Sequence, residues 1–140
     1  MPEVDFALIC DFVRAERGVA HIIGGGFDTI TAQQVPTGSN LGFVMRMALE
    51  RVECERPHRV ELVLSDTDGA RVFETTTIVN YPWIATTPAG WPTHVMWGLN
   101  IGLVFPRFGP YVLDVVINDT LKKQIQLQVV QAGAAAENPG

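Results

Sequence analysis

The chain has 140 residues, 47% of them hydrophobic and 18% charged, and its ten Lys plus Arg against fifteen Asp plus Glu leave a net charge of −5. That length suits one domain with a self-sufficient core, and no apolar run reaches the roughly 20 residues that a membrane span requires. Basic residues this few and this scattered give no footprint for a phosphate backbone, which excludes nucleic acid as an expected partner.

The opening "MPEVDFALIC" carries Glu3 and Asp5 where a signal peptide would be basic, so a cytoplasmic location is expected. In residues 4–13, Val4, Phe6, Leu8, Cys10 and Phe12 alternate against Asp5 and Asp11, the period of a half-buried strand. "RAERG" at 14–18 reads as a charged connection and "VAHII" at 19–23 as the returning strand of a hairpin. Cys10 and Cys54 are expected to stay free thiols in a reducing compartment.

Residues 41–51 place Leu41, Phe43, Met45, Met47 and Leu49 on one face and Arg46 and Glu50 on the other. Met, Ala, Leu, Glu and Arg also allow a helix here, but strict alternation and Gly42 favour a strand. After Pro57, Val60, Leu62 and Leu64 alternate, "DTDG" at Asp66–Gly69 turns the chain, and a β-branched strand returns. Residues 81–97 show no sustained period and read as a long loop, followed by a strand at "LNIGLVF", 99–105. Tyr111, Leu113, Val115 and Ile117 alternate, "NDT" turns, and Ile125, Leu127 and Val129 alternate again, giving a further hairpin. The pattern predicts an all-β, two-sheet antiparallel β-sandwich over residues 1–131, with a flexible tail at 132–140. "GPY" at 109–111 is similar to the tyrosine corner of immunoglobulin-like sandwiches, although no Cys-Trp-Cys framework is present, so the likeness is one of architecture.

Gly24, Gly25 and Gly26 in "HIIGGGFDTI" raise the question of a phosphate-binding turn. A dinucleotide fingerprint needs a third glycine where Thr29 stands and a helix after it, and Pro36 halts a β-branched segment instead. A Walker A loop needs a lysine, and none precedes Lys122. The glycines are therefore assigned a structural role, bending one long strand so that it crosses from sheet to sheet.

Other reactive patterns are incomplete. Cys54 and His58 have ligand spacing but lack a second pair, since Cys10, His21 and His94 are isolated, so no metal and no cofactor are expected. Ser39 and Ser65 sit in turn-like sequence without a G-x-S-x-G elbow. Asp5, Asp11, Glu61 and Asp114 alternate with apolar residues as on a solvated sheet face, and Cys10 lies on an apolar face where a thiol is inert. No catalytic residue is assigned. Tyr81, Trp83, Trp91 and Trp97, stiffened by Pro82, Pro88 and Pro92, form the candidate partner- or ligand-binding surface, and Tyr111 joins the glycines as a structural residue.

The blocks "PEVDFALICDFVRAERGVAHIIGGGFDTI", "ERPHRVELVLSDTDG" and "PRFGPYVLDVVINDTLKKQIQLQVV", with the "VP" and "NLG" after the first, resemble an uncharacterised bacterial family of small single-domain proteins, a domain of unknown function. The resemblance implies a cytoplasmic, cofactor-free single domain and carries over no catalytic residue. Two readings follow. One is a non-enzymatic protein-interaction or assembly module that self-associates or serves as an accessory subunit. The other is a small-molecule-binding protein or enzyme whose pocket lies between the Gly24–Gly26 bend and the aromatic loop 81–97, drawing on His21, Asp28 and His94.

Overall fold

The computed structural model describes residues 1–133; the tail expected at 132–140 lies outside the described residues from 134 onward. The strands are β1 (Glu3–Cys10), β2 (Phe12–Glu16), β3 (Val19–Ile23), β4 (Thr29–Ala32), β5 (Thr37–Leu49), β6 (His58–Asp66), β7 (Arg71–Val79), β8 (Thr93–Phe105), β9 (Gly109–Ile117) and β10 (Thr120–Gln131), with one 3-10 turn at Arg51–Glu53. They form a three-stranded sheet in the order β1-β5-β8, a five-stranded sheet in the order β4-β10-β9-β6-β7, and the separate hairpin β2-β3. No helix among the described residues is long and apolar enough to cross a membrane.

The two larger sheets stack on the alternating residues that the sequence marks. Phe43, Met45, Met47 and Leu49 from β5 meet Val60, Leu62 and Leu64 from β6, Leu113, Val115 and Ile117 from β9, and Leu127 and Val129 from β10. The result is a two-sheet β-sandwich. Its pairing is antiparallel throughout except at one edge, where the short β4 runs parallel to β10.

β1 departs from its expected one-face pattern. A bulge between Val4 and Phe6 shifts the register, after which Ala7 and Ile9 face the main core while Leu8 and Cys10 face outward. The chain then breaks at Asp11 rather than continuing to residue 13, and Phe12 points to solvent at 49% exposed while Val13 is buried. The connection in the hairpin is only Arg17–Gly18, both at positive φ, the geometry of a two-residue hairpin turn.

That hairpin lies across the outer face of the three-stranded sheet and buries Cys10, Val13 and Val44 with Leu8, Ala20 and Met96. Two glycines admit it. A Cβ on Gly42 would lie 2.7 Å from the Cys10 sulfur and 3.1 Å from the Val13 amide nitrogen, and one on Gly98 would lie 3.2 Å from both Val13 methyls. Between them Asn100 fastens the hairpin backbone: its Oδ1 accepts from the Val13 amide at 2.9 Å and its Nδ2 donates to the Val13 carbonyl at 2.7 Å. β5 is thus covered on both faces, which is why Val44 is buried between the alternating core positions.

Gly42→Ala should lower the unfolding free energy by about 2 kcal/mol, because the added methyl meets a backbone amide that has nowhere to go. Asn100→Ala should cost about 1–3 kcal/mol by orphaning both polar groups of Val13. Urea denaturation measures both values.

Candidate functional site

The Gly24–Gly26 segment is a connection and not the kinked continuous strand expected. β3 ends at Ile23 beside β2, and the chain re-enters a strand only at Thr29, in the five-stranded sheet. Gly24 and Gly26 have φ of +63° and +86°, values that favour glycine. The Asp11 side chain occupies the space a Gly24 Cβ would need, and the Gly26 amide donates to the Ile9 carbonyl at 2.8 Å. An open groove of about 560 Å³ lies beside the segment, lined by Asp11, Phe27, Thr29, Ser39 and Asn40 among others. It brings the Asp11 carboxylate into one groove with backbone amides and the Thr29 and Ser39 hydroxyls.

The same end carries a fastening that the sequence shows only in part. The Tyr111 hydroxyl donates to the Arg107 carbonyl at 2.7 Å and accepts from the Arg107 amide at 3.2 Å, closing a tyrosine corner, while its ring packs edge-on against Phe105. The Arg107 guanidinium pairs with Asp66, and Asp66 Oδ1 also accepts from the amides of Asp68 at 2.9 Å and Ala70 at 3.0 Å. Burial works to raise the Asp66 pKa; the Ala70 amide, the Arg107 guanidinium and the Asp68 amide outweigh it and hold the carboxyl below its usual range.

The aromatic residues stand at the opposite end. β5 runs from the glycine end at Leu41 to Ala48, which pairs with His94, a span of seven strand residues or about 23 Å. A pocket bounded by both the glycine bend and the aromatic loop therefore does not form, and His94 is kept apart from Asp28, which lies at the glycine end among Thr67, Pro110 and Tyr111. His94 instead approaches Asp5 at 3.5 Å, and His21 pairs with Arg14 across the hairpin. Nor do the four aromatics form one surface. Trp97 belongs to β8 and packs edge-on against Phe43 at 5.9 Å between centroids. Tyr81 and Trp83 are half-buried against the core, the latter under the Arg51 guanidinium, and burial pushes the Tyr81 hydroxyl pKa up. Trp91 projects into solvent, 62% exposed.

Cys54 and His58 are buried rather than turn-exposed. His58 uses both ring nitrogens: Nε2 lies 2.6 Å from the Glu53 carbonyl and Nδ1 2.9 Å from the Asn118 amide nitrogen. A carbonyl accepts only and a side-chain amide nitrogen donates only, so Nε2 donates to Glu53 and Nδ1 accepts from Asn118. The ring has no lone pair left for a metal, and among the described residues no group of three His, Cys, Asp or Glu side chains gathers at one point. Glu53 is buried too; its desolvation is outweighed by the amino group of Met1 and the Glu50 amide, which hold its pKa low.

The local sequence pattern leaves unmarked the edge formed by β8. The expected loop 81–97 ends early, because Thr93, Val95, Trp97, Leu99, Ile101, Leu103 and Phe105 alternate through one strand of 13 residues; proline and aromatic content masked that signal. β8 pairs only with β5, leaving its far edge without a backbone partner among the described residues. It contains no Lys, Arg, Asp, Glu or Pro, the residues that ordinarily protect an edge. Its core-facing Val95, Trp97, Leu99 and Ile101 are only half-buried, whereas Phe43, Met45, Met47 and Leu49 on β5 are 1% exposed or less.

A family model described as a family of unknown function (DUF6941) matches residues 5–130. No curated protein matches the sequence. Among solved structures, an immunoglobulin-like protein from Pseudomonas aeruginosa is similar at 15% identity and a TM-score of 0.37, over 93% of this chain and 97% of that one.

Asp66 contributes stability that is fully present above the usual carboxylate pKa near 4, where the folded and unfolded chains are both ionised, and that is lost as pH falls from there through the lower folded value, because the unfolded chain takes up the proton first. Asp66→Asn should therefore unfold at lower urea than the parent at pH 7, with the gap closing below about pH 4. Tyr111→Phe should cost about 1 kcal/mol at either pH, because its hydroxyl bonds only backbone groups.

Proposed function

Because the chain belongs to that family of unknown function, membership supplies no activity, and we propose that it is a non-enzymatic protein-interaction module that receives an extended strand along the open edge of β8. The observation that carries this reading is the uncharged, unpaired 13-residue edge with its half-exposed row of core side chains. An added strand would satisfy the free amides and carbonyls and complete the burial of Val95, Trp97, Leu99 and Ile101, the mode called β-augmentation. Trp91, exposed at the end where β8 begins, would add rim contact.

The reading takes the partner to be a protein and not a nucleic acid, in keeping with the acidic charge balance. It includes a cytoplasmic location, supported by two unpaired thiols at Cys10 and Cys54. An internal small-molecule site has little support: the apolar void between the sheets, walled by Ile9, Leu64, Phe73, Ile101 and Leu113, holds about 10 Å³, and a drug-sized ligand needs some 300 Å³ or more.

Val104 is 62% exposed on the outward face of β8, so Val104→Lys should leave the melting temperature within about 2 °C of the parent, as surface substitutions do. The same change should weaken the complexes this chain forms, with itself or with an added protein, by about tenfold on a native titration. Complexes that survive Val104→Lys and are lost in Trp91→Ala would move the binding surface from the edge to the loop.

A further inference from the structure

The occupant of the β8 edge can be chosen from the chemistry around it. The molecule carries a net charge of −5, so two copies repel over most approaches. The side bearing β8 is an exception: β8 has no formal charge at neutral pH, and β7, which flanks it, contributes one Arg71 and one Glu74 that pair with each other. The opposite side presents Glu3 and Asp5 on β1, which lie within ion-pair distance of Lys122 and Arg46. The hairpin over β8 adds Arg14, paired with Glu16, and Arg17 in its turn, so a second copy approaching edge to edge meets no carboxylate on the β8 strand itself.

Shape favours the same partner. Leu99 is the middle residue of β8, so antiparallel pairing of two β8 strands about a two-fold axis through Leu99 uses all 13 residues of each. On the outward face Met96 falls opposite Gly102 of the partner subunit and His94 opposite Val104 of the partner subunit; on the inward face Trp97 meets Ile101 of the partner subunit. No charged pair of like sign is created. The edge is about 43 Å long and the two-layer sandwich about 20 Å thick, so each copy would bury on the order of 800 Å², the area a stable dimer requires.

We infer that the partner strand is β8 of a second copy of this chain, paired antiparallel about Leu99 into a two-fold dimer whose three-stranded sheet continues across the interface as six strands. This inference rests on the edge-binding reading and goes beyond it by naming the partner and the register.

Cysteine cross-linking of the full chain tests the register. His94 and Val104 are ten strand residues apart, about 33 Å, so they cannot bridge within one molecule. Opposed across a sheet, their Cα atoms fall within the roughly 4.4–6.8 Å that a disulfide spans. The double variant His94→Cys/Val104→Cys should form a dimer resistant to denaturant under mild oxidation, while either single variant should not, and light scattering of the parent should give twice the monomer mass at micromolar concentration. Both positions are exposed, so folding should be unaffected; circular dichroism and the melting temperature verify this. A dimeric parent whose double variant fails to cross-link overturns this register. A monomeric parent at every concentration overturns the second copy as partner, and a Val104→Lys-sensitive complex with another protein would in that case leave the edge-binding reading standing.

Discussion

The architecture depends on how closely one backbone can approach another at Val13. A three-stranded sheet in the middle of a small acidic protein has two apolar faces, and only one can rest on the five-stranded sheet. The β2-β3 hairpin covers the other, and it can do so because Gly42 and Gly98 leave space for the Val13 amide and methyls while Asn100 replaces the water that its backbone groups give up. Leaving the Val13 amide and carbonyl bare would cost about 1–3 kcal/mol between them, comparable to what the small apolar cluster of Cys10, Val13 and Val44 gains by burial. The hairpin stays down because one side chain meets both demands.

That arrangement makes the two flanks of the sandwich unequal. On one flank β1 lies against β10, and Lys122 reaches Glu3 at 3.0 Å. On the other, the hairpin passes from β1 over β5 to β8, where Val13 and Ala15 lie against Gly98, and β8 pairs with no strand besides β5 among the described residues. The turn end is meanwhile fixed by Tyr111, Arg107 and Asp66, which tie the loop before β9 to the turn after β6. A rigid frame with one long uncharged edge is suited to taking up a strand, since little order is lost by the receiving side.

Much of this was legible in the sequence. Alternation at Leu41–Leu49, Val60–Leu64, Tyr111–Ile117 and Ile125–Val129 marked the inner strands correctly, because period two is enforced wherever one face is buried. It misled at β1, where a bulge exchanges the faces and both become covered, so that Phe12 emerges exposed and Val13 enters a core. The extent of β8 was hidden by the tryptophans and prolines around residues 81–97, although seven alternating residues run from Thr93 to Phe105. Asn100, Arg107 and Asp66 were illegible as partners because each bond joins residues distant in sequence or depends on backbone groups, neither of which leaves a local pattern. The separation of the glycine bend from the aromatic loop was likewise a matter of topology: both adjoin β5, at opposite ends of it.

Hydrogen exchange along β8, recorded residue by residue at increasing protein concentration, addresses the edge directly. In a lone sandwich the alternate β8 amides that point away from β5 are open to solvent, and on pairing they become as protected as their neighbours. Protection of those amides that rises with concentration, while β1 and β7 stay unchanged, is the result expected. Exchange on β8 that is independent of concentration, or protection that appears instead on β1 or β7, would contradict it.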